Sequence, residues 1–263
     1  METIHLTKEQ LRSFLISYQG LSYPHEFEGK DGIIRLFKRI GTIQYDPLNI
    51  IGKNADLVLC ARIPNYKESI LSEMLYKDRT LIDGWDKMMS IYLTEEYPNF
   101  NHIRKARERQ INHALTHKKQ DHTLEHKDLV LNYIKENGPT YPKDMNLGNI
   151  NKGSWGHSKV STAVFDYLWN IGSIGIYEKN NVIKKYDLIE NLLDKTLIES
   201  DVLSNLDDFL DWYILRKVGH VGIYWGKLGP AWLSYYINKD ETRKKVLDRL
   251  ILDGRLTDRK SVV

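Results

Sequence analysis

Residues 125–188 carry the pattern that most restricts the possible fold of this chain. The segments EHKDLVLNYIKENG (125–138) and HSKVSTAVFDYLWNIG (157–172) have apolar residues at helical spacing. Two short strand-like segments follow, SIGIYEK and NVIKKYD, and Asn180-Asn181 joins them. The order helix, helix, β-hairpin is typical of a winged helix, which is a variant of the helix-turn-helix.

The residues before this pattern predict further helices and one short strand. Thr7 is placed to cap the first helix, Gly41 to end the second, and TIQYD (42–46) is strand-like. The predicted helices are 8–19, 31–41, 47–63, 67–77 and a basic, exposed linker helix at 101–120.

Residues 206–256 repeat the pattern weakly, as a helix, a short helix, and a helix entering a strand. We therefore predict a mainly α fold with small β-hairpins (α+β), built from tandem winged-helix modules. The first module spans 1–120 and includes the basic linker helix, the second spans 121–200, and the third spans 201–263. Because the chain stops at RLTDRKSVV, we expect the third module to lack its wing.

Composition narrows the class of protein. No apolar run reaches the roughly 18 residues of a membrane span, and the N-terminus lacks the features of a signal peptide. Cys60 is the only cysteine, so disulfides and cysteine-based zinc sites within one chain are excluded. His113 and His117 have the spacing of zinc ligands but no third partner, so we predict neither a metal site nor a cofactor. A cytoplasmic protein without a membrane partner is expected.

Two segments are candidates for contact with nucleic acid. Residues 101–120 hold six Lys and Arg against one Glu, in a chain of net charge +3, and Arg104, Arg107 and Arg109 could face phosphates. Ser158, Lys159 and Thr162 lie in the first turn of the predicted helix 157–172, where a recognition helix meets DNA. Both segments could instead be ordinary solvated faces, and many winged helices contact only proteins.

Gln44 and Asp46 allow two interpretations. Asp followed by Pro is a favoured helix start, so Asp46 could be only the N-cap of the helix predicted to begin at Pro47. In a strand, however, residues two apart point to the same side. Gln44 and Asp46 could then converge on one water molecule while Tyr45 faces the core, which is a hydrolytic arrangement.

The sequence also resembles the AlkZ/YcaQ-like family of bacterial DNA glycosylases, often described as winged-helix DNA-binding proteins. The resemblance rests on RIGTIQYDPLNIIGKNADLVLCARI, on DGWDKMMSIYLTEEYP, and on SWGHSKVSTAVFDYLWNIGSIGIYEKNNVIKKYDL. The first stretch contains the Gln-x-Asp catalytic motif of one branch of the family, as Gln44-Tyr45-Asp46.

The resemblance implies three tandem winged helices that form a concave DNA-binding surface. It also implies a monofunctional glycosylase that releases N7-alkylated purines from double-stranded DNA, with crosslink unhooking in some members. Asp46 would activate water, Gln44 would position it, and no cofactor would be needed. We expect a monomeric, nucleoid-associated bacterial repair enzyme. The alternative is a non-catalytic winged-helix DNA-binding protein, such as a transcriptional regulator.

Overall fold

The computed structural model describes residues 6–46, 49–149, 159–180, 182–225, 227 and 229–258 of the 263-residue chain. Contacts divide the chain into two compact units. Unit 1 comprises Met1–Leu71, Asp86–Leu93 and Leu203–Val263, and unit 2 comprises Ser72–Trp85 and Thr94–Val202. The described residues are mostly helical, with short antiparallel strands, so the predicted α+β class is confirmed. The division into three related modules stays a prediction.

Unit 1 is built around the buried face of one amphipathic helix. Its described helices and strands are α1 (Lys8–Tyr18), α2 (Gly29–Ile40), β1 (Thr42–Gln44), α3 (Asn54–Cys60), β3 (Met89–Leu93), α10 (Leu206–Val221) and α11 (Asp240–Leu252). Ile33, Leu36 and Phe37 of α2 are fully buried, because their spacing places them on one side of the helix. α2 packs against α10, and β1 pairs antiparallel with β3, Ile43 opposite Ile91.

The predicted ends of the first two helices are confirmed. Thr7 and Gln10 form a capping box at the start of α1, which satisfies two backbone N–H groups. Gly41 ends α2 with φ +69°, in the region that only glycine adopts readily. The chain turns there and enters β1 within one residue, so the end of α2 fixes where the strand begins.

Unit 2 contains the helix, helix, hairpin order predicted from the sequence. Its described helices and strands are α4 (Glu68–Tyr76, which begins in unit 1), β2 (Leu81–Trp85), α5 (Asn101–His117), α6 (Lys127–Asn137), α7 (Val160–Ile171), β4 (Ile174–Asn180), β5 (Ile183–Leu188), α8 (Ile189–Leu192) and α9 (Lys195–Glu199). β4 and β5 pair antiparallel, with Ile174 opposite Leu188. Thr140, between α6 and α7, exchanges both backbone hydrogen bonds with Tyr186 and so joins the hairpin.

Short 3₁₀ helices complete the connections, at Thr94–Phe100, Asp121–His126, Pro142–Asp144 and Pro230–Trp232. The last of these occupies part of the short helix predicted before α11. The strand predicted after α11 is wrong for the part of the chain that the structure describes, because residues 253–256 form turns and bends and residues 257–258 lie in no helix or strand. None of the described helices is both long and apolar enough to span a membrane.

Candidate active site

Gln44 lies at the end of β1 with its side chain exposed, and Ile43 before it is buried. This alternation is the one predicted for a half-buried strand. The Tyr45 N–H donates to the Met89 carbonyl at 2.8 Å, so the extended pairing continues one residue beyond the strand. Asp46 follows and is partly exposed. The pairing is observed only as far as Tyr45, so a shared side for Gln44 and Asp46 stays a prediction.

The helix that was expected to begin at Pro47 begins seven residues later, at Asn54. Lys53 occupies its N-cap position, so the prediction that Asp46 caps this helix is wrong. Gly52 supplies the physical reason, because its φ of +156° is incompatible with a helix running through it. Asn54 belongs to the helix but reaches back, and its Nδ2 donates to the Gln44 carbonyl at 2.7 Å.

A buried charge cluster lies behind the start of β1. Asp86 is fully buried, and its two carboxylate oxygens accept from Arg216 Nη1 at 2.8 Å and from Lys217 Nζ at 2.6 Å. Tyr213 donates its hydroxyl to the same carboxylate at 2.7 Å. Arg216 also donates from Nη2 to the Gly41 carbonyl at 2.9 Å. The cluster therefore holds the backbone that leads directly into Gln44 and Asp46.

The two cations of this cluster keep Asp86 ionised, and burial keeps Tyr213 protonated. Burial alone would raise the pKa of the Asp86 carboxyl, but Lys217 and Arg216 outweigh it and hold that pKa well below its usual range. Burial raises the pKa of the Tyr213 hydroxyl well above its usual value, so that Tyr213 stays a hydrogen-bond donor. Asp86 is therefore an ion-pair partner rather than a proton-transfer group.

The sequence alone did not single out Asp86 or its partners Arg216 and Lys217. Arg216 and Lys217 lie in the helical segment LRKVG, where adjacent cations are typical of a solvated face. No local pattern indicates that a carboxylate 130 residues earlier pairs with them. The missed residues support the candidate site through its backbone.

The helix at 101–120 was expected to be an exposed linker, but α5 is amphipathic and packs on α7. Ile103, Arg107, Ile111 and Leu115 are buried along one side of it. The sequence is consistent with this packing, because residues at a spacing of four lie on one side of a helix and three of these four residues are apolar. One side of the helix therefore packs into the core of unit 2, and the other side is open to solvent.

Arg107 was expected to face phosphates, yet its side chain is 3% exposed. Its guanidinium lies over the Trp85 ring, 3.4 Å from the centroid, and donates to the Asn170 side chain. The predicted DNA contact is wrong for Arg107, which stabilises the core of unit 2. Arg109 is exposed, whereas Arg104 is partly buried against the Tyr97 ring at 4.0 Å.

The start of α7 presents part of the predicted recognition surface. Lys159 occupies the N-cap position and is exposed, and Thr162 in the first turn is partly exposed. Ser161 between them is buried. Ser158 lies outside the described residues. Lys159 and Thr162 therefore stay candidates for a contact with DNA.

Across the part of the chain that is described, no three His, Cys, Asp or Glu side chains are grouped to hold a metal ion. The His113 and His117 rings stack with centroids 6.5 Å apart on α5.

Comparison with known proteins gives the fold and the family of this chain. The chain is similar in fold to the DNA glycosylase AlkZ of Streptomyces sahachiroi, with a TM-score of 0.60 and 12% sequence identity. The likeness covers 94% of this chain and 66% of the AlkZ chain, so this chain spans just under two thirds of that protein's length. A family model described as DNA glycosylase AlkZ-like matches residues 37–259, which include Gln44, Asp46 and the buried charge cluster. Because that match covers most of the chain, the protein belongs to the AlkZ-like DNA glycosylase family.

Proposed function

We propose that this protein is a monofunctional DNA glycosylase that hydrolyses the N-glycosidic bond of N7-alkylated purines in duplex DNA. The observation that carries the proposal is an exposed Gln44 at the end of β1 and a partly exposed Asp46 two residues later. The buried charge cluster holds the Gly41 carbonyl immediately before this strand. Membership in the AlkZ-like family supplies the reaction class.

The chemistry suits one carboxylate and one amide. Alkylation at N7 gives the purine a positive charge, so the base leaves without a strong general acid. The sugar then approaches an oxocarbenium ion, and a carboxylate about 4 Å away stabilises it by about 4 kcal/mol at an effective dielectric of 20. Asp46 would stabilise this cation and take the proton of the attacking water, while the Gln44 amide orients that water.

The same reasoning extends to interstrand crosslinks that are attached through a purine N7. The crosslinked base carries the same positive charge and is the same kind of leaving group. We therefore include crosslink unhooking in the proposed activity. We further propose that Arg104, Arg109, Lys159 and Thr162 contribute to the DNA-binding surface, which would be formed by tandem winged helices.

Base release under single-turnover conditions tests the catalytic proposal. The substrate is a duplex with one N7-methylguanine, and the variants are Asp46→Asn and Gln44→Ala. Asp46→Asn should lower the rate by about 10² or more, the scale of a lost general base. Gln44→Ala should lower it less, since the carboxylate remains. Asp31→Asn is the matched control, because Asp31 is an exposed aspartate in the first turn of α2.

Two outcomes would contradict the proposal. Equal rates for the wild type and Asp46→Asn would remove Asp46 from the chemistry. A wild type that binds duplex DNA in a salt-dependent manner but releases no base would favour the alternative, a non-catalytic DNA-binding protein. A second duplex that carries an N7-linked crosslink tests the unhooking activity separately.

A further inference from the structure

Two adjacent isoleucines in the loop after Asp46 are almost fully exposed. Ile50 and Ile51 each have 89% of their surface open to solvent. Single exposed apolar residues are common on protein surfaces, but two neighbouring isoleucines outside any helix or strand, called the tip below, leave a contiguous apolar surface in water. The segment Pro47–Gly52 contains no charged residue, in a chain of which 28% is charged.

Residues on both sides of Ile50 and Ile51 make defined contacts, although the two isoleucines themselves are exposed. Asn54 Nδ2 donates to the Gln44 carbonyl, which joins the end of β1 to the start of α3. Gly52 lies against Leu57, since a Cβ added to Gly52 would lie 3.0 Å from a Leu57 methyl group. Ile50 and Ile51 are therefore exposed between Gln44 and Asn54, two residues of unit 1 that are joined by a hydrogen bond.

The tip also lies close to the candidate catalytic carboxylate. Ile50 follows Asp46 by four residues, and a fully extended chain of that length spans at most about 14 Å. Successive nucleotides in one strand of duplex DNA are spaced about 3.4 Å apart along the axis. Ile50 must therefore lie within about four base steps of a nucleotide whose sugar meets Asp46.

We propose that Ile50 and Ile51 form an apolar wedge that enters the base stack of duplex DNA beside the nucleotide held at Asp46. This inference rests on the proposed glycosylase function. An uncharged, branched tip suits the apolar interior of an opened base step and does not suit the phosphate backbone. Apolar side chains inserted between base steps unstack them, and chemistry on a base inside a duplex requires such unstacking.

The wedge should help only where a base stack must be opened. A strand that is already single has less stacking to lose, so it should depend less on the isoleucines. The comparison of duplex with single-stranded substrate therefore separates a wedge from a general support of the active site. It uses the full chain and leaves Gln44 and Asp46 intact.

The test uses Ile50→Ala/Ile51→Ala, with Leu252→Ala as the matched control because Leu252 is an exposed apolar residue with 87% of its surface open. The probe is a duplex in which 2-aminopurine stands next to N7-methylguanine. Binding of the wild type should brighten the 2-aminopurine, and the double variant should lose most of that increase. The rate of base release should fall by about tenfold or more on duplex and by no more than about twofold on the single strand.

Ile50→Leu/Ile51→Leu should restore both signals, since it keeps the apolar bulk. Equal loss of rate on duplex and single strand would overturn the wedge and show a supporting role for the loop. A double variant that brightens 2-aminopurine as much as the wild type does would also overturn the wedge. If that variant were also monomeric in sedimentation while the wild type is dimeric, the tip would be a self-association surface. Fluorescence that depends on the isoleucines, in a wild type that releases no base, would support the wedge and contradict the glycosylase proposal.

Discussion

His220 should make the stability of this protein fall as the solution becomes mildly acidic. Its ring lies directly against the backbone of Gly41, where an added Cβ would be 1.6 Å from Nε2. The pKa of the His220 imidazole is lowered to about 2, first by burial and then by Arg216 and Lys217, whose combined effect exceeds the opposing effect of the Asp86 carboxylate. The folded protein therefore keeps this imidazole neutral.

The size of the effect follows from proton linkage. In the unfolded chain an imidazole has a pKa of about 6.5, so below that pH the unfolded state binds a proton that the folded state does not. The contribution of neutral His220 to stability is present above about pH 6.5 and is lost as the pH falls towards 2. Between about pH 7.5 and pH 5.0 the loss amounts to roughly 2 kcal/mol.

Urea unfolding at several values between about pH 7.5 and pH 5.0 measures this loss. The wild type should lose roughly 2 kcal/mol more than His220→Gln, which has no proton to bind in that range. His122→Gln, at an exposed histidine in unit 2, is the control and should follow the wild type. The comparison uses only the change in unfolding free energy with pH. A loss of stability in His220→Gln that is the same at every pH therefore does not affect the result. Parallel curves for wild type and His220→Gln would refute the reasoning.

Three further predictions concern stability and binding. Gly41→Ala should destabilise the protein more than Gly29→Ala, and unfolding midpoints measure the difference. Both glycines have a positive φ, but only at Gly41 would the new Cβ clash with a side chain, that of His220. Asp86→Asn should cost about 3–5 kcal/mol, since it leaves two buried cations without their anion, and urea unfolding measures the loss. Arg107→Ala should destabilise by about 1–3 kcal/mol. Arg109→Ala, at an exposed position, should lower the melting temperature less than Arg107→Ala and should reduce the salt slope of duplex binding by about 1.

The local elements near the candidate site could be predicted from sequence because each has a local physical cause. Gly41 ends α2 because glycine accepts a positive φ, and the alternation of Ile43 and Gln44 fixes which side of β1 is buried. The hairpin of unit 2 follows equally from short β-like segments around Asn180. In each case the information lies within a few residues.

The errors arose where tertiary contacts override a local signal. Asp46-Pro47 is a favourable helix start, but the backbone at Gly52 prevents a helix that runs from there. Arg107 belongs to a basic segment, but its position on the apolar face of α5 places it over Trp85. Asp86 and Arg216 lie far apart in the chain, and only the folded unit brings them together. Charge alone could not distinguish a solvated cation from a buried one.

The corrected start of α3 changes what the substitutions at Asp46 can be expected to do. As an N-cap, Asp46 would have distinguished Asn from Ala, because Asn caps nearly as well and Ala loses about 1 kcal/mol. Since Lys53 holds the N-cap position, that difference should be absent from the unfolding free energies of Asp46→Asn and Asp46→Ala. The two variants should instead share the loss of base release, because neither side chain can take a proton or carry a negative charge. An Ala variant that is less stable than the Asn variant by the full cap energy would return a capping role to Asp46, and equal unfolding curves with equally slow base release would assign the carboxylate to chemistry.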